Sequence, residues 1–205
     1  LDERALRALC EAGAFDSMVS DLPRPQRRRA ALWRVLDAVR GDAGPLAPRH
    51  RECSARVERV LLPAMSALEL TAADYRLTSL SLNGHPLSHL RHRLQKLGVR
   101  TARDILSQGR DGERVTHAGL VICRQRPGTA KGFVFMSLED ETGILNVVVT
   151  PHLFERQALL ISGAALLLVR GTLQVQQGVV NLRGEQFHAL AAGAGEHWAP
   201  SRDFH

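Results

Sequence analysis

Residues 115 to 190 contain five strand-like runs, and one short helical segment separates the third run from the fourth. Turn-forming residues divide the runs, such as Pro127-Gly128 after the first run and Gly178 before the fifth. Thr150-Pro151 opens the helical segment, as an N-cap residue followed by proline at the first helical position. The runs predict strands at residues 115–125, 133–140, 144–149, 164–174 and 179–190, with a helix at 150–161.

Five strands with a helix between the third and fourth are the layout of an OB-fold barrel, which commonly holds single-stranded nucleic acid. The residues before this segment have helical patterns instead. We therefore predict an α+β multidomain chain with the boundary in the polar residues 108–113. Its parts are a helical region at 1–110, an OB-fold nucleic-acid-binding domain at 112–190 and a tail at 191–205, loose over residues 191–199.

The helical region shows several start and stop signals. Asp2 caps a predicted helix that Gly13 ends, and a second helix is predicted over residues 26–39. Capping-box patterns begin at Thr71 and at Thr101, each with an aspartate three residues later. Between them, Pro86 begins a predicted helix that ends at Gly98, with leucines at 87, 90, 94 and 97 as its apolar stripe.

Composition adds only weak constraints. The net charge of +6 over 205 residues suits a polyanionic partner, but 25 of the 27 cations are arginines, which genomic base composition explains as readily as phosphate recognition. The three cysteines are scattered, which favours incidental thiols in a reducing compartment. The apolar runs are too short to span a bilayer. We expect a cytoplasmic protein with no membrane association.

The loop between the first two strands is the first candidate nucleic-acid site. Arg124, Arg126 and Lys131 are its cations, and arginine forks hold phosphates well. Phe133 and Phe135 follow on the second strand, where bases could stack. The alternatives are a solvated hairpin loop and, if a bulge turns one ring inward, an aromatic core residue.

A second candidate is the run Arg27, Arg28 and Arg29, for which DNA backbone contact competes with a solvated helix face. The acidic triplet at residues 139–141 lies in a hairpin turn, so turn chemistry is favoured over a metal site. His85 is interpreted as a helix-entry residue. No catalytic residue and no metal or cofactor site is predicted in this chain.

Several stretches together resemble bacterial C-family DNA polymerases, the class of the polymerase III alpha subunit, and in particular its error-prone, damage-inducible branch. These stretches are LCEAGAFD (9–16), RRAALW (28–33), DYRLTSLSL (74–82), HPL (85–87), AGLV (118–121), RQRPG (124–128), LEDETG (138–143) and PSRDFH (200–205). The resemblance covers nearly the whole chain. It implies the C-terminal fragment of such an enzyme, comprising the end of the fingers and helix-hairpin-helix region followed by the OB domain.

The resemblance also implies what the parent enzyme does. It would be a DNA-directed DNA polymerase, a nucleotidyltransferase that extends primers across lesions with Mg²⁺ held by palm-domain aspartates that have no counterpart here. Its partners would be DNA, an inactive Y-family-like accessory protein and a RecA-like protein. Because residues 107–115 lack a Gln-initiated clamp motif, any sliding-clamp contact would be indirect.

Three other interpretations remain open at this stage. The barrel could dock accessory proteins and touch DNA little. The chain could be the equivalent region of a replicative alpha subunit. A tRNA-binding OB domain of a synthetase fits the barrel but neither the helical half nor the tail.

Overall fold

The computed structural model describes residues 2–41, 62–190 and 202–204. The chain divides into two compact units, Leu1–Asn83 and Gly84–His205. The first unit is helical, and the second contains a β-barrel together with the short helices that precede it. The region predicted to be a loose tail, residues 191–199, lies outside the described residues.

The described residues of the first unit form three α-helices, α1 (Glu3–Glu11), α2 (Arg24–Gly41) and α3 (Ala67–Thr78), and a 3-10 turn at Asp16–Val19. The Asp2 carboxylate accepts a hydrogen bond from the Ala5 amide at 2.7 Å, which confirms the predicted cap of α1. The helix predicted over residues 26–39 is α2, two residues longer at each end.

The predicted cap at Thr71 is wrong, because Thr71 lies inside α3 and is fully buried. A reciprocal capping box begins that helix five residues earlier. The Ser66 hydroxyl accepts from the Glu69 amide at 3.1 Å, while the Glu69 carboxylate accepts from the Ser66 amide at 2.7 Å. The Thr71 hydroxyl instead donates to the Ala67 carbonyl one turn back, at 3.0 Å.

The second unit opens with a 3-10 turn at Pro86–His89, followed by α4 (Arg91–Lys96) and α5 (Ala102–Gln108). The helix predicted over residues 86–98 is therefore interrupted at Leu90, and Leu97 is 67% exposed rather than part of an apolar stripe. The predicted cap at Thr101 is confirmed, because its hydroxyl accepts from the Asp104 amide at 3.1 Å. His85 lies at the entry to the 3-10 turn, where its Nδ1 accepts from the Leu87 amide at 3.2 Å.

The barrel has the predicted five strands with one helix between the third and fourth. They are β1 (Arg114–Gln125), β2 (Val134–Asp140), β3 (Gly143–Val149), α6 (Pro151–Gly163), β4 (Leu166–Gln176) and β5 (Val179–Ala189), with a 3-10 turn at Gly128–Ala130. Around the barrel, β1 pairs with β2, β2 with β3, β3 with β5 in parallel, β5 with β4, and β4 with β1. The circuit is closed, as in an OB-fold. A short strand, β6 (Arg202–Phe204), pairs in parallel with residues 123–125 of β1.

Alternate side chains of the strands fill the barrel. Its core includes Met136, Leu138, Leu145, Val147, Leu182 and Phe187, each no more than 2% exposed. Closure requires glycine where strands cross closely. A Cβ at Gly119 would lie 2.6 Å from the Leu138 Cβ, and one at Gly171 would lie 2.1 Å from the Arg183 carbonyl oxygen.

The segment before the barrel is attached to it by side chains and backbone. Ala102 and Ile105 of α5 are fully buried in the barrel core. The Asp111 carboxylate accepts from the Val175 amide at 2.9 Å, and the Gly112 amide donates to the Leu173 carbonyl at 2.9 Å. Contacts therefore divide the chain at Asn83–Gly84, earlier than the domain boundary predicted at residues 108–113. Independent folding of residues 112–190 stays a prediction.

Candidate nucleic-acid interface

The strands β2 and β3 present one face to the core and the other outward. Along β2, Val134, Met136 and Leu138 are buried, whereas Phe135 is 41% exposed. Strict alternation along the strand therefore holds, and Phe135 lies on the outside of the barrel as an aromatic surface residue.

Strand register places polar and aromatic side chains side by side on that outside. Phe135 pairs with Val148, which pairs in turn with Arg183 of β5. One step along, the Ser137 hydroxyl donates to the Asn146 Oδ1 at 3.1 Å, and Asn146 pairs with Asn181. We call this surface the outer face; its residues are Phe135, Ser137, Ile144, Asn146, Val148, Asn181 and Arg183.

The outer face has the chemistry that single-stranded nucleic acid needs. Phe135 offers a ring on which a base can stack, which is worth about 1–3 kcal/mol per base in such proteins. The amides of Asn146 and Asn181 can donate to and accept from base edges. Arg183 is exposed, and its only ion pair among the described residues is a long contact of 3.9 Å to Glu185.

Sequence reasoning missed Asn146, Asn181 and Arg183. The alternation that placed Phe135 also applies to β3 and β5, so the outward positions of these strands could have been read from it. Alternation could not predict the parallel register of β3 and β5. That register places Asn146 opposite Asn181 and Val148 opposite Arg183.

Arg124, the first cation of the predicted binding loop, forms hydrogen bonds within the barrel unit. Its Nε donates to the Ile161 carbonyl at 2.7 Å, and its second guanidinium nitrogen donates to the Ala164 carbonyl. These carbonyls belong to the end of α6, where a cation also opposes the negative end of the helix dipole. The geometry makes Arg124 a cap of α6.

The other members of the predicted site are more accessible. Arg126 is exposed, with its guanidinium 4.8 Å from the centre of the Phe154 ring in α6, a cation–π contact. Lys131 is exposed in a left-handed backbone conformation with φ of 49°, and it makes no ion pair with the described residues. Phe133 is half-buried just before β2.

The structure gives the arginine run in α2 internal partners. Arg28 is 9% exposed and forms an ion pair with Asp74 at 2.6 Å. Arg27 donates to the carbonyls of Leu22 and Ser20 at 2.8 and 3.0 Å. Arg29 pairs with Glu69 at 3.0 Å. The guanidinium of Arg28 is thus buried against a carboxylate, whereas Arg27 and Arg29 are more accessible, and DNA contact by this run stays a prediction.

The acidic triplet forms a turn, as predicted. The Asp140 Oδ1 accepts from the Thr142 amide, the Thr142 hydroxyl and the Gly143 amide at 2.7, 2.6 and 3.1 Å. Its Oδ2 accepts from the Ala102 amide at 2.8 Å and from Arg91 at 3.2 Å. Burial acts to raise the pKa of Asp140, but the hydrogen bonds from Thr142 and Ala102 outweigh it and lower that pKa below its usual value.

The described residues contain no cluster of three or more His, Cys, Asp or Glu side chains that could hold a metal ion. In the same residues, no helix is both long and apolar enough to cross a membrane.

Residues 115–190 match a family described as an OB-fold nucleic acid binding domain. Nearly the whole chain is similar to proteins named error-prone DNA polymerase. The protein from Caulobacter vibrioides is 43% identical over 93% of this chain, and that from Anaeromyxobacter dehalogenans is 44% identical over 96%. The chain is a relative of one segment of the error-prone DNA polymerases.

That segment is short compared with the whole enzyme, because the chain spans 17% and 16% of the two relatives' lengths. Among solved structures, asparaginyl-tRNA synthetase from Pyrococcus horikoshii is 21% identical, with a TM-score of 0.38 over 44% of this chain and 22% of that one. A TM-score this low supports no conclusion about function.

Proposed function

We propose that the chain is a DNA-contacting part of an error-prone DNA-directed DNA polymerase, and that its barrel holds single-stranded DNA on the outer face. The observation that carries the proposal is the exposed Phe135, which shares the outer face of a closed OB-fold barrel with two amide side chains. The similarity to error-prone DNA polymerases supplies the nature of the nucleic acid.

The finer role of the parent enzyme is a further part of this proposal. We infer that the parent enzyme acts in translesion synthesis and damage-induced mutagenesis in the cytoplasm, with Mg²⁺ bound at palm aspartates outside this chain. Its inferred partners are an inactive Y-family-like protein and a RecA-like protein, with an indirect link to the sliding clamp. The chain alone, which has no such aspartates, is expected to incorporate no nucleotide in a primer-extension assay.

A protein-docking role of the barrel is the second candidate. The observation in its favour is that Arg124 and Arg126, two of the three loop cations, already contact α6. Such a loop would have fewer cations available for phosphate than its sequence indicates.

Substitution of Phe135 separates the two functions. Phe135→Leu keeps apolar bulk on the outer face but removes the ring, so stacking predicts several-fold weaker binding of a single-stranded oligonucleotide by fluorescence anisotropy. Leu159→Ala is the matched control, because Leu159 is an apolar side chain that is 94% exposed on α6. Equal affinity of the natural chain and Phe135→Leu would contradict DNA binding on the outer face.

A further inference from the structure

The loop that contains Arg126 and Lys131 lies at one end of the β2–β3 hairpin. A separate basic surface lies at the other end, beside the β2–β3 turn. From Tyr75 to Arg103 the sequence has no aspartate or glutamate but six arginines and lysines. In the second unit, Arg91 and Arg100 of this stretch find acidic partners elsewhere, in Glu141 and Glu113. Their charges are thus balanced within the fold.

The other cations of this stretch that belong to the second unit have no acidic partner in the part of the chain that the structure describes. Arg93, Lys96 and Arg103 are exposed, and none of them makes an ion pair with the described residues. We call these three residues the α4–α5 basic surface. Three unpaired cations in a stretch without acids create a local positive potential that attracts an anionic partner.

Both helices that carry this surface are anchored at the β2–β3 turn. Arg91 of α4 binds the carboxylates of Asp140 and Glu141 in that turn. At the start of α5, the Arg103 amide donates to the Thr142 hydroxyl at 3.0 Å. These contacts therefore hold the two helices that carry the basic surface to the hairpin.

Helical spacing directs the α4 cations away from the barrel. Arg93 and Lys96 are three residues apart and lie on one side of the helix. Arg91 and Leu94 lie on the opposite side, where Arg91 binds the turn and Leu94 is 2% exposed. The basic side of α4 is thus open to a ligand, while the other side fastens the helix.

The position of this surface relative to the outer face indicates its ligand. Phe135 lies near the loop end of β2, and Ile144, 48% exposed, lies at the turn end of β3. The seven residues of β2 separate these ends by about 20 Å at roughly 3.3 Å per residue. A DNA strand on the outer face that continues past the turn would reach the two helices held there.

We propose that the α4–α5 basic surface binds the phosphate backbone of DNA that continues past the β2–β3 turn. The proposal rests on the proposed DNA binding of the barrel and adds a second contact region to it. Arginine forks and lysine ammonium groups suit backbone phosphates, which carry no sequence information, so this contact contributes affinity rather than sequence preference.

The test compares two triple variants of the full chain that lose the same charge. The test variant is Arg93→Gln, Lys96→Gln and Arg103→Gln. The control variant is Arg110→Gln, Arg114→Gln and Arg170→Gln, three exposed arginines of the same unit that are outside both proposed contact regions. Affinity for a labelled oligothymidylate of about thirty nucleotides, which is long enough to pass the turn, is measured by anisotropy across a salt series.

We expect the test variant to lower the magnitude of the log–log salt slope by about 2, at roughly 0.7 for each lost phosphate contact on a single strand. The control variant should change the slope by less than half as much. Equal changes in the two variants, an unchanged slope in the test variant, or no salt-dependent binding by the natural chain would overturn the proposal. An unchanged slope would leave an acidic protein as the partner to seek.

Phe135→Leu in the same assay distinguishes the two proposals. If only the test variant weakens binding, the basic surface stands and the outer face fails. If only Phe135→Leu weakens it, the barrel binds DNA without the basic surface. Circular dichroism melts of all variants confirm that each comparison is made between folded proteins.

Discussion

Two cationic regions of this chain differ in whether their side chains have partners within the fold. The run Arg27–Arg29 is the densest in the sequence, yet all three side chains bond to partners within the helical unit. The cations of the α4–α5 basic surface are more widely spaced along the chain, and they make no ion pair with the described residues. Charge density along the sequence is therefore a poor measure of the charge that a fold leaves available.

Acidic partners at long sequence separation explain this difference. Asp74 is 46 positions after Arg28, while Glu69 is 40 positions after Arg29. The stretch that contains Arg93, Lys96 and Arg103 has no acids of its own, and the nearby Asp140 and Glu141 are already bound to Arg91. Whether an arginine is structural or available depends on where the fold brings its carboxylates.

Removal of Arg28 should have the largest effect on stability. Arg28→Met would leave the Asp74 carboxylate buried with only the neutral donors of Ser81 and Asn83, at 2.6 and 2.8 Å. Loss of one partner from a buried ion pair costs about 3 kcal/mol or more. Arg29→Met is the control, because its pair with Glu69 is more than one-third exposed on both sides and contributes less than about 1 kcal/mol. Chemical denaturation monitored by circular dichroism should separate the two variants, and equal midpoints would contradict the structural role of Arg28.

Substitution of Arg124 should have the next largest effect. Arg124→Ala removes two charged hydrogen bonds to the end of α6, and we expect the free energy of unfolding to fall by about 2 kcal/mol. Arg126→Ala, two residues further, removes only an exposed cation–π contact of about 0.5 kcal/mol. A thermal melt should therefore place Arg124→Ala clearly below Arg126→Ala. If the two melt together, Arg124 is not an important cap of α6.

Acid should weaken the second unit through the half-buried His85. Burial lowers the pKa of His85 to about 4, whereas its unfolded value is near 6.5. The unfolded chain then binds more protons between these values, so stability is complete above pH 6.5 and falls as pH drops toward 4. Because the side chain is partly solvated, we expect a loss on the order of 1–2 kcal/mol between pH 7 and pH 5.

His85→Asn isolates this effect. Asparagine can accept the Leu87 amide hydrogen bond as a cap but does not titrate in this range. Denaturation midpoints measured from pH 7 to pH 4 should therefore depend less on pH in the variant. An identical pH dependence would assign the acid sensitivity to another group, of which buried His117 is the first to examine, because burial also lowers its pKa.

Much of the fold could be predicted because its signals are local. Alternation along each strand and the Thr150-Pro151 helix start gave five strands and α6 at nearly their observed bounds. Errors arose where two local signals compete or where contacts are distant. Ser66 and Glu69 displaced Thr71 as the cap of α3, and the polar residues near Asp111, at the predicted domain boundary, bond to β4.

The candidate site was harder to predict for the same physical reason. Phe135 lies outward because alternation is a local property of β2. The role of Arg124 depends on carbonyls of Ile161 and Ala164, nearly 40 residues later, and no pattern near Arg124 indicates them. The neighbours Asn146 and Asn181 belong to strands whose pairing only the closed barrel specifies.

Neutralisation of the two accessible loop cations should have the smallest effect on stability and a measurable effect on DNA binding. Arg126→Ala with Lys131→Ala should change the free energy of unfolding by no more than about 0.5 kcal/mol, because both side chains are exposed. The log–log salt slope for single-stranded DNA should fall in magnitude by about 1.4, at roughly 0.7 for each contact. The contrast with Arg124 is sharp, since Arg124→Ala should lower stability and leave the slope nearly unchanged. A slope that responds to Arg124 but not to Arg126 and Lys131 would mean that Arg124 exchanges its α6 carbonyls for phosphate when DNA binds.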